Sequence, residues 1–321
     1  METVLITAIG SFSADATIKT CKQLGMRVIG IDIYPFEWLP DASNVSSFYK
    51  APLATNEEEY ILFIKDLIKK ENIKLILPTT DVEVDVFNKN RDVLKKLGVI
   101  LCLSDEKSIN ICRNKYEIFN YLLHKGVENL IPTQLLNEAD IASLQYPAVC
   151  KPSNGRSSQG LQYISTKEEM EIFISRNDIN GYVVQPKIDG DIYTVDVVFQ
   201  LSTKKGVAVP RRELLRTKNG AGLSVYVIND SELERKCLKI AEFLGVNGCV
   251  NFEFIKDNHN IFHFIECNPR FSGGIEFSCI AAYQCIKNHI YCFISKEIEN
   301  RKDFSNQYIA RKYEEYVTKI E

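Results

Sequence analysis

Hydrophobic and polar residues alternate most strictly in the last third of the chain. Val250, Phe252 and Phe254 alternate with Asn251 and Glu253, and Phe262, Phe264, Glu266 and Asn268 alternate with Ile261, His263, Ile265 and Cys267. This is the period-2 signature of strands, with Asp257 to Asn260 as the turn between them. With Lys256 opposite Ile261, Glu253 shares a face with Phe264 and stands diagonal to Glu266, about 7–8 Å away at Cα. Upstream, short apolar runs alternate with helix-period segments. Strands are predicted at Thr3 to Ile6, Val28 to Ile31, Lys74 to Leu77 and Val99 to Leu103. The helices between them run from about Asp15 to Leu24, Thr55 to Lys70 (with Thr55 and Glu58 as a capping box) and Val84 to Leu97. That order is βαβ, and it predicts a doubly wound sheet with ligands outside the carboxyl ends of its strands.

After a helical linker from Ser104 come a helix from Lys115 to Lys125 and a strand ending at Lys151. Further strands are predicted at Leu161 to Ile164, Tyr182 to Gln185 and Tyr193 to Gln200. Thr166 with Glu169, and Ser231 with Glu234, read as capping boxes for two more helices. Ile280 to Ile294 reads as an apolar helix, and a last strand is placed near Glu315 to Ile320.

Composition narrows the classes. The 321 residues can bury a sizeable core in two or three subdomains. A net charge of 39 − 42 = −3 gives no electrostatic case for nucleic acid or an anionic membrane. Ten cysteines without a CxxC pair, and no secretory signal at Met1, suit a reduced, cytoplasmic protein. The four histidines (His124, His259, His263, His289) show no metal-ligand spacing, which argues against zinc and against Ser-His-Asp chemistry. No apolar run approaches the roughly 18–20 residues that span a bilayer. Gly10 and Asp32 have a dinucleotide-like spacing, but Ser11, Phe12 and Ser13 stand where the fingerprint needs glycines.

Three stretches carry candidate chemistry. Glu253, Glu266 and Asn268 are hard oxygen ligands suited to Mg²⁺ beside phosphates, or else belong to an exposed hairpin with two solvated acids. Arg270 follows them, fit to grip a phosphoryl or carboxylate oxygen. The Gly/Ser-rich loop from Pro152 to Gly160 is either a mobile hairpin or a phosphate cradle flanked by Lys151 and Arg156. The basic stretch from Val209 to Gly222 is either a solvated face or a carboxylate-binding segment that uses Arg211 or Arg212.

Taken in order, Asn114-Lys115, Lys151-Pro152 with the loop to Gly160, Gln185 to Asp196, Glu253 and Glu266-Cys267-Asn268-Pro269-Arg270 resemble the ATP-grasp enzymes over nearly the whole chain. The last stretch is similar to that family's E-x-N-P-R signature, and carbamoyl-phosphate-synthase-like members and stand-alone carboxylate–amine ligases are closest in character. The resemblance implies a mixed α/β and α+β fold. A doubly wound pre-ATP-grasp domain (1–105) would precede two α+β subdomains, 106–182 with the lid loop and 183–321 with the metal site. It implies that Lys115 and Lys151 contact ATP phosphates, and that Gly155, Arg156, Ser157, Ser158 and Gly160 form the lid. Gln185 to Ile188 would be the hinge, with the backbone of Lys187 and Ile188 on adenine. Glu253, Glu266 and Asn268 would hold Mg²⁺, two ions, or Mn²⁺ in its place. Arg270 would stabilise the transferring phosphoryl group, and Arg211 or Arg212 the acceptor side.

This chain departs from the family pattern at three positions. Asn114 stands where many members have an acid, Pro186 where the hinge carries glutamate, and Ile192 where glutamate binds ribose, leaving Asp191 or Asp189 for that contact. The activity implied joins a small carboxylic acid to an amine or thiol through an acyl phosphate, and the implied assembly admits a homodimer. The alternatives are a carbamoyl-phosphate-synthase-like kinase and a silent nucleotide-binding protein.

Overall fold

The computed structural model describes residues 2–156, 159–218 and 220–320. Thr3–Ile6 (β1), Arg27–Asp32 (β2), Ser47–Lys50 (β3), Leu75–Leu77 (β4) and Ile100–Leu101 (β5) form a parallel sheet in the order β3-β2-β1-β4-β5. Alternate residues feed two apolar layers. Val4 and Ile6 pack toward helix Ala14–Gln23, while Leu5, Ile29, Ile31 and Ile76 pack toward helices Glu57–Glu71 and Asp81–Lys89. The direction of winding reverses between β1 and β4, so the crevice of a doubly wound sheet opens at residues 7–13 and 78–81. Asp32 closes its own loop, accepting the N–H of Gly10 at 2.9 Å and of Tyr34 at 3.1 Å. A Cβ on Gly10 would lie 2.8 Å from Leu39, so close approach rather than a dinucleotide explains this glycine.

Local chemistry moves several element boundaries. Asn90 ends helix Asp81–Lys89 by donating its side-chain amide to the Val86 carbonyl, and a separate helix Arg91–Lys96 follows. Helix Glu57–Glu71 starts after Asn56 without the Thr55 box, because Asn56 bonds Glu59 instead. Thr166 does cap helix Lys167–Arg176, its hydroxyl accepting the Glu169 N–H, while the Glu169 carboxylate accepts the N–H of Ser165 one residue earlier. Helix Ser231–Leu244 is capped by Asp230 rather than Ser231. The apolar segment expected at 280–294 is two helices, Ile275–Ala281 and Cys285–Tyr291.

Gln134–Leu135 (β6), Ala148–Pro152 (β7), Gln162–Ile164 (β8) and Tyr182–Pro186 (β9) make a small antiparallel sheet, β6-β9-β7-β8, over Leu136, Cys150, Met170 and Val184. Gly190–Gln200 (β10), Lys205–Arg216 (β11), Gly222–Val227 (β12), Gly248–Asp257 (β13), Phe262–Asn268 (β14) and Gln307–Ala310 (β15) make the larger antiparallel sheet, β14-β13-β10-β11-β12-β15. The final strand is therefore β15, and the expected strand at 315–320 does not form. One face of this sheet buries Tyr193, Val195, Val197, Phe252, Phe254 and Phe264 with helix Ser231–Leu244. The opposite face is apolar at one end, where Val198, Val207 and Val209 share a cluster with Phe271, Ile286 and, from the parallel sheet, Ile6 and Ile9. Among the described residues, no helix is long and apolar enough to cross a membrane.

Candidate active site

Strand pairing aligns four polar positions across the larger sheet. Arg211 opposes Thr194, Thr194 opposes Glu253, and Glu253 opposes Glu266. The two acids are thus directly opposite, not diagonal. A bulge explains the difference: Phe254 pairs with Phe264 and Glu253 with Glu266, which leaves Ile265 as an extra residue. One inserted residue exchanges the faces of a strand. Phe262 and Phe264 therefore pack into the core face, while Glu266 and Asn268 turn to the polar face, contrary to the unbroken alternation of the sequence.

The acids are held by cations from either side. Arg216 Nη2 is 3.3 Å from Glu253 Oε1, and Lys115 Nζ is 3.2 Å from Glu266 Oε2. Asn268 donates its amide to Glu266 Oε1 at 3.1 Å. Burial and the facing Glu266 push the Glu253 carboxyl above its ordinary range. Burial also opposes the charge on Glu266, but Lys115 and Lys151 outweigh it and hold that carboxyl low. Among the described residues no three His, Cys, Asp or Glu side chains cluster as a metal site. The donor set is instead two facing carboxylates and an amide, and the strained protonation of Glu253 fits a place completed by a divalent cation.

A first compartment of about 440 Å³ lies between the small sheet and this polar face. Ile131, Val149, Ile192, Ile255 and Ile265 give it apolar walls, and Lys115, Lys151, Gly155 and Arg156 a cationic end. Lys115 opens helix Lys115–His124, which Asn114 caps by accepting the N–H groups of Tyr116 and Glu117. Capping gives Asn114 a structural purpose where the family often has an acid. Lys115 also donates to the Gly155 carbonyl at 2.8 Å, tying the loop to the helix. Lys151 is buried, and desolvation lowers its amine to a pKa of about 8 against the pull of Glu266.

The segment expected to be the hinge, Gln185 to Ile188, lines the first compartment. Gln185 turns its side chain to Thr133 Oγ1 at 2.7 Å, and the Lys187 N–H is consumed by the Pro147 carbonyl at 2.9 Å. The Lys187 carbonyl and Ile188 N–H keep no partner among the described residues. Asp191 does not face the compartment. Its neighbours Gly190 and Ile192 do, so alternation sends Asp191 to the other face, where it pairs with Arg212 at 3.2 Å; Asp189 lines the compartment. Gly160 lies outside that lining. At φ +72° its Cβ would meet Pro152 and the Tyr182 hydroxyl at 2.9 Å, so it serves the turn. Ser157 and Ser158 lie outside the described residues.

A second compartment of about 460 Å³ shares Arg156, Arg216, Glu253 and Glu266 with the first. Its far side is the crevice of the parallel sheet, Ser11 to Ser13 and Thr79 to Val82, and its rim includes Gly220 to Gly222 and Arg270 to Gly274. Arg270 reaches Asp81 Oδ2 at 2.7 Å. Arg211 lines this compartment and Arg212 does not. Arg211 has 1% of its side chain exposed and is bonded to Asp196, Ser272 and Ser278. Arg212, next in the strand, points to the opposite face. The residues that sequence reasoning missed are Arg216 and Asp81. Arg216 lay within the basic run, but register shifts after Glu213 hide which face it takes. Asp81 carried only the signal of a position at a strand tip.

Two antiparallel sheets closing on a cleft, with lysines on one wall and paired acids on the other, define the ATP-grasp architecture. The chain has the ATP-grasp fold, and its residues 178–316 match the family described as ATP-grasp in the biosynthetic pathway with Ter operon. It is similar to the arginine-specific carbamoyl phosphate synthase large chain of Bacillus subtilis, 20% identical over 81% of this chain and 26% of that protein. It is also similar to the D-alanine–D-alanine ligase of Buchnera aphidicola, 25% identical over 46% of this chain and 51% of the ligase. The chain thus spans about a quarter and about half of these relatives. Among solved structures it resembles the biotin carboxylase domain of Hydrogenobacter thermophilus 2-oxoglutarate carboxylase, in complex with MgADP, ADP and bicarbonate. The TM-score is 0.78 at 16% identity, covering 95% of this chain and 73% of that one.

Proposed function

We propose that the chain is an ATP-dependent carboxylate–amine ligase, with a thiol as the alternative acceptor, working through an acyl phosphate. The observation that carries this reading is the wall shared by the two compartments. Glu253, Glu266, Arg216 and Arg156 border both, so a group passing from nucleotide to acceptor crosses them. In this reading adenine lies among Ile131, Ile192 and Ile255 against the hinge backbone, and Lys115, Lys151 and Arg156 receive the phosphates. Glu253, Glu266 and Asn268 hold Mg²⁺, which supplies neutralisation of the terminal phosphates when bound. The carboxylate oxygen attacks the γ-phosphorus and the bond to ADP breaks. Arg270 meets the charge that gathers on transfer. The amine then attacks the acyl carbon and phosphate departs.

Labelling the acid's carboxylate with ¹⁸O tests the reading, using amino and hydroxy acids screened for ADP release. One labelled oxygen is expected in inorganic phosphate beside ADP. AMP and pyrophosphate, or unlabelled phosphate, would overturn it.

A further inference from the structure

The small sheet turns one unused aromatic ring toward the first compartment. Val149 and Lys151 face the compartment from β7, while Cys150 between them packs into the core of that sheet. The same parity holds on β8. Tyr163 opposes Val149 and lines the compartment, and Ile164 joins Cys150 in the core. Tyr163 is 63% exposed. Among the described residues its side chain meets no other ring, no cation and no hydrogen-bond partner. Tyr182, on the core face, instead packs edge-on against Phe173 with ring centroids 5.8 Å apart. A ring that lines a compartment and touches nothing there has a whole face to offer.

The positions around it describe a slot. Gln185 opposes Val149 from the other side, so Gln185, Val149 and Tyr163 form one row two strand spacings wide, about 10 Å. Just past the Gln185 end stand the Lys187 carbonyl and the Ile188 N–H, an acceptor and a donor without partners among the described residues. Lys151 lies two residues from Val149 along β7, about 7 Å nearer the cationic end. From the larger sheet, Ile192 and Ile255 oppose each other and line the compartment too. The slot therefore has aliphatic side chains on one wall and a ring on the other. A hydrogen-bonding pair stands at one edge, and cations lie about 7 Å further along. That fits a flat heteroaromatic group with an anionic tail.

Resting on the nucleotide placement of the ligase reading and deepening it, we propose that Tyr163 is the platform on which the base stacks. The ring closes over the base against Ile192 and Ile255, and it decides how much affinity the base adds to that of the phosphates. Stacking of this kind does not choose between bases, because each has a π-face. The choice is left to the Lys187 and Ile188 backbone. The contact uses the ring face and not the phenol hydroxyl.

ATP and inorganic tripolyphosphate, each with Mg²⁺, are the probes, titrated by calorimetry into the full chain. Tripolyphosphate carries the phosphates without the base, so the ratio of the two affinities isolates what the base adds. Tyr163→Leu keeps much of the bulk but loses the ring, and should lower the ATP-to-tripolyphosphate ratio by roughly fivefold or more. Tripolyphosphate affinity itself should stay unchanged. Tyr163→Phe keeps the face and should keep the wild-type ratio. The exposure of the side chain makes both variants mild for the fold. An unchanged ratio in Tyr163→Leu, or an equal loss of both probes, would overturn the proposal and leave the ligase reading standing. A wild type that binds neither probe would overturn the nucleotide placement, and this proposal with it.

Discussion

The Asp81 carboxylate, at the first residue of the helix that follows β4, holds the Arg270 guanidinium just past β14 at 2.7 Å. The contact spans 189 residues of sequence. Burial works against the charge on both, yet each partner stabilises the other, lowering the acid and raising the base. Arg113 stands 3.5 Å from the same acid and 2.7 Å from Asp85, which lies 3.8 Å from Arg156. An alternating chain of charges thus links Arg156 to Arg270 through helices Asp81–Lys89 and Glu106–Arg113. Asp81→Asn should lower turnover at least tenfold with little change in ATP affinity, because Arg270 loses its aim rather than the nucleotide its contacts. Arg270→Ala should do the same more severely. Steady-state kinetics beside calorimetry separates the terms, and a parallel fall in ATP affinity would contradict the assignment.

Lys151 predicts a pH dependence. Its amine is depressed to about 8 from 10.5, so between those values the unfolded chain holds more protons and stability of the ligand-free protein rises with pH. ATP phosphates favour the charged amine and reverse the shift. Binding near pH 8 should take up a fraction of a proton, and affinity should fall as pH rises through about 8. Calorimetry in buffers of different ionisation enthalpy measures this. Lys151→Gln should abolish the uptake and weaken ATP by about 1.5–3 kcal/mol.

Glu253→Gln should abolish turnover and raise the Mg²⁺ needed for ATP binding, while stabilising the empty protein. The raised carboxyl means that its contribution to stability is present at low pH and lost as pH climbs through its folded value. The gain in melting temperature should therefore be larger at pH 8 than at pH 5. Glu266→Gln should match it in activity without that gain, since Lys115 and Lys151 already stabilise its charge.

Arg211 and Arg212 should part company in stability. Arg211→Ala strands Asp196 and Glu213 in the interior and should cost about 3–5 kcal/mol, the scale of a broken buried pair. Arg212→Ala removes only an exposed pair with Asp191 and should cost about 0–1 kcal/mol. Thermal or urea denaturation checks both.

Much of this was legible because it is local. The alternation around Glu253, the Thr166 box and the order of apolar runs each depend on neighbours a few residues away, and they set the elements and brought Lys115, Lys151, Glu253 and Glu266 to one cleft. What escaped depends on pairing between distant strands. The Ile265 bulge moved Glu266 from diagonal to opposite, and strand parity carried Asp191 away from the first compartment. Arg211 read as either a solvated base or a carboxylate-binding one, because its partners Asp196, Ser272 and Ser278 are far from it in sequence. Lys187 lost a hinge donor to Pro147 for the same reason.

The bulge at Ile265 makes the site a proofreader of its own sheet. The turn at 257–261 joins β13 to β14 near the protein surface, where small changes in loop length are usually tolerated. Yet a re-pairing of β14 that dropped the extra residue would carry Glu266 and Asn268 to the side occupied by Phe252 and Phe254, and two polar groups would meet a hydrocarbon layer. Misregistered chains would then be both inert and unstable.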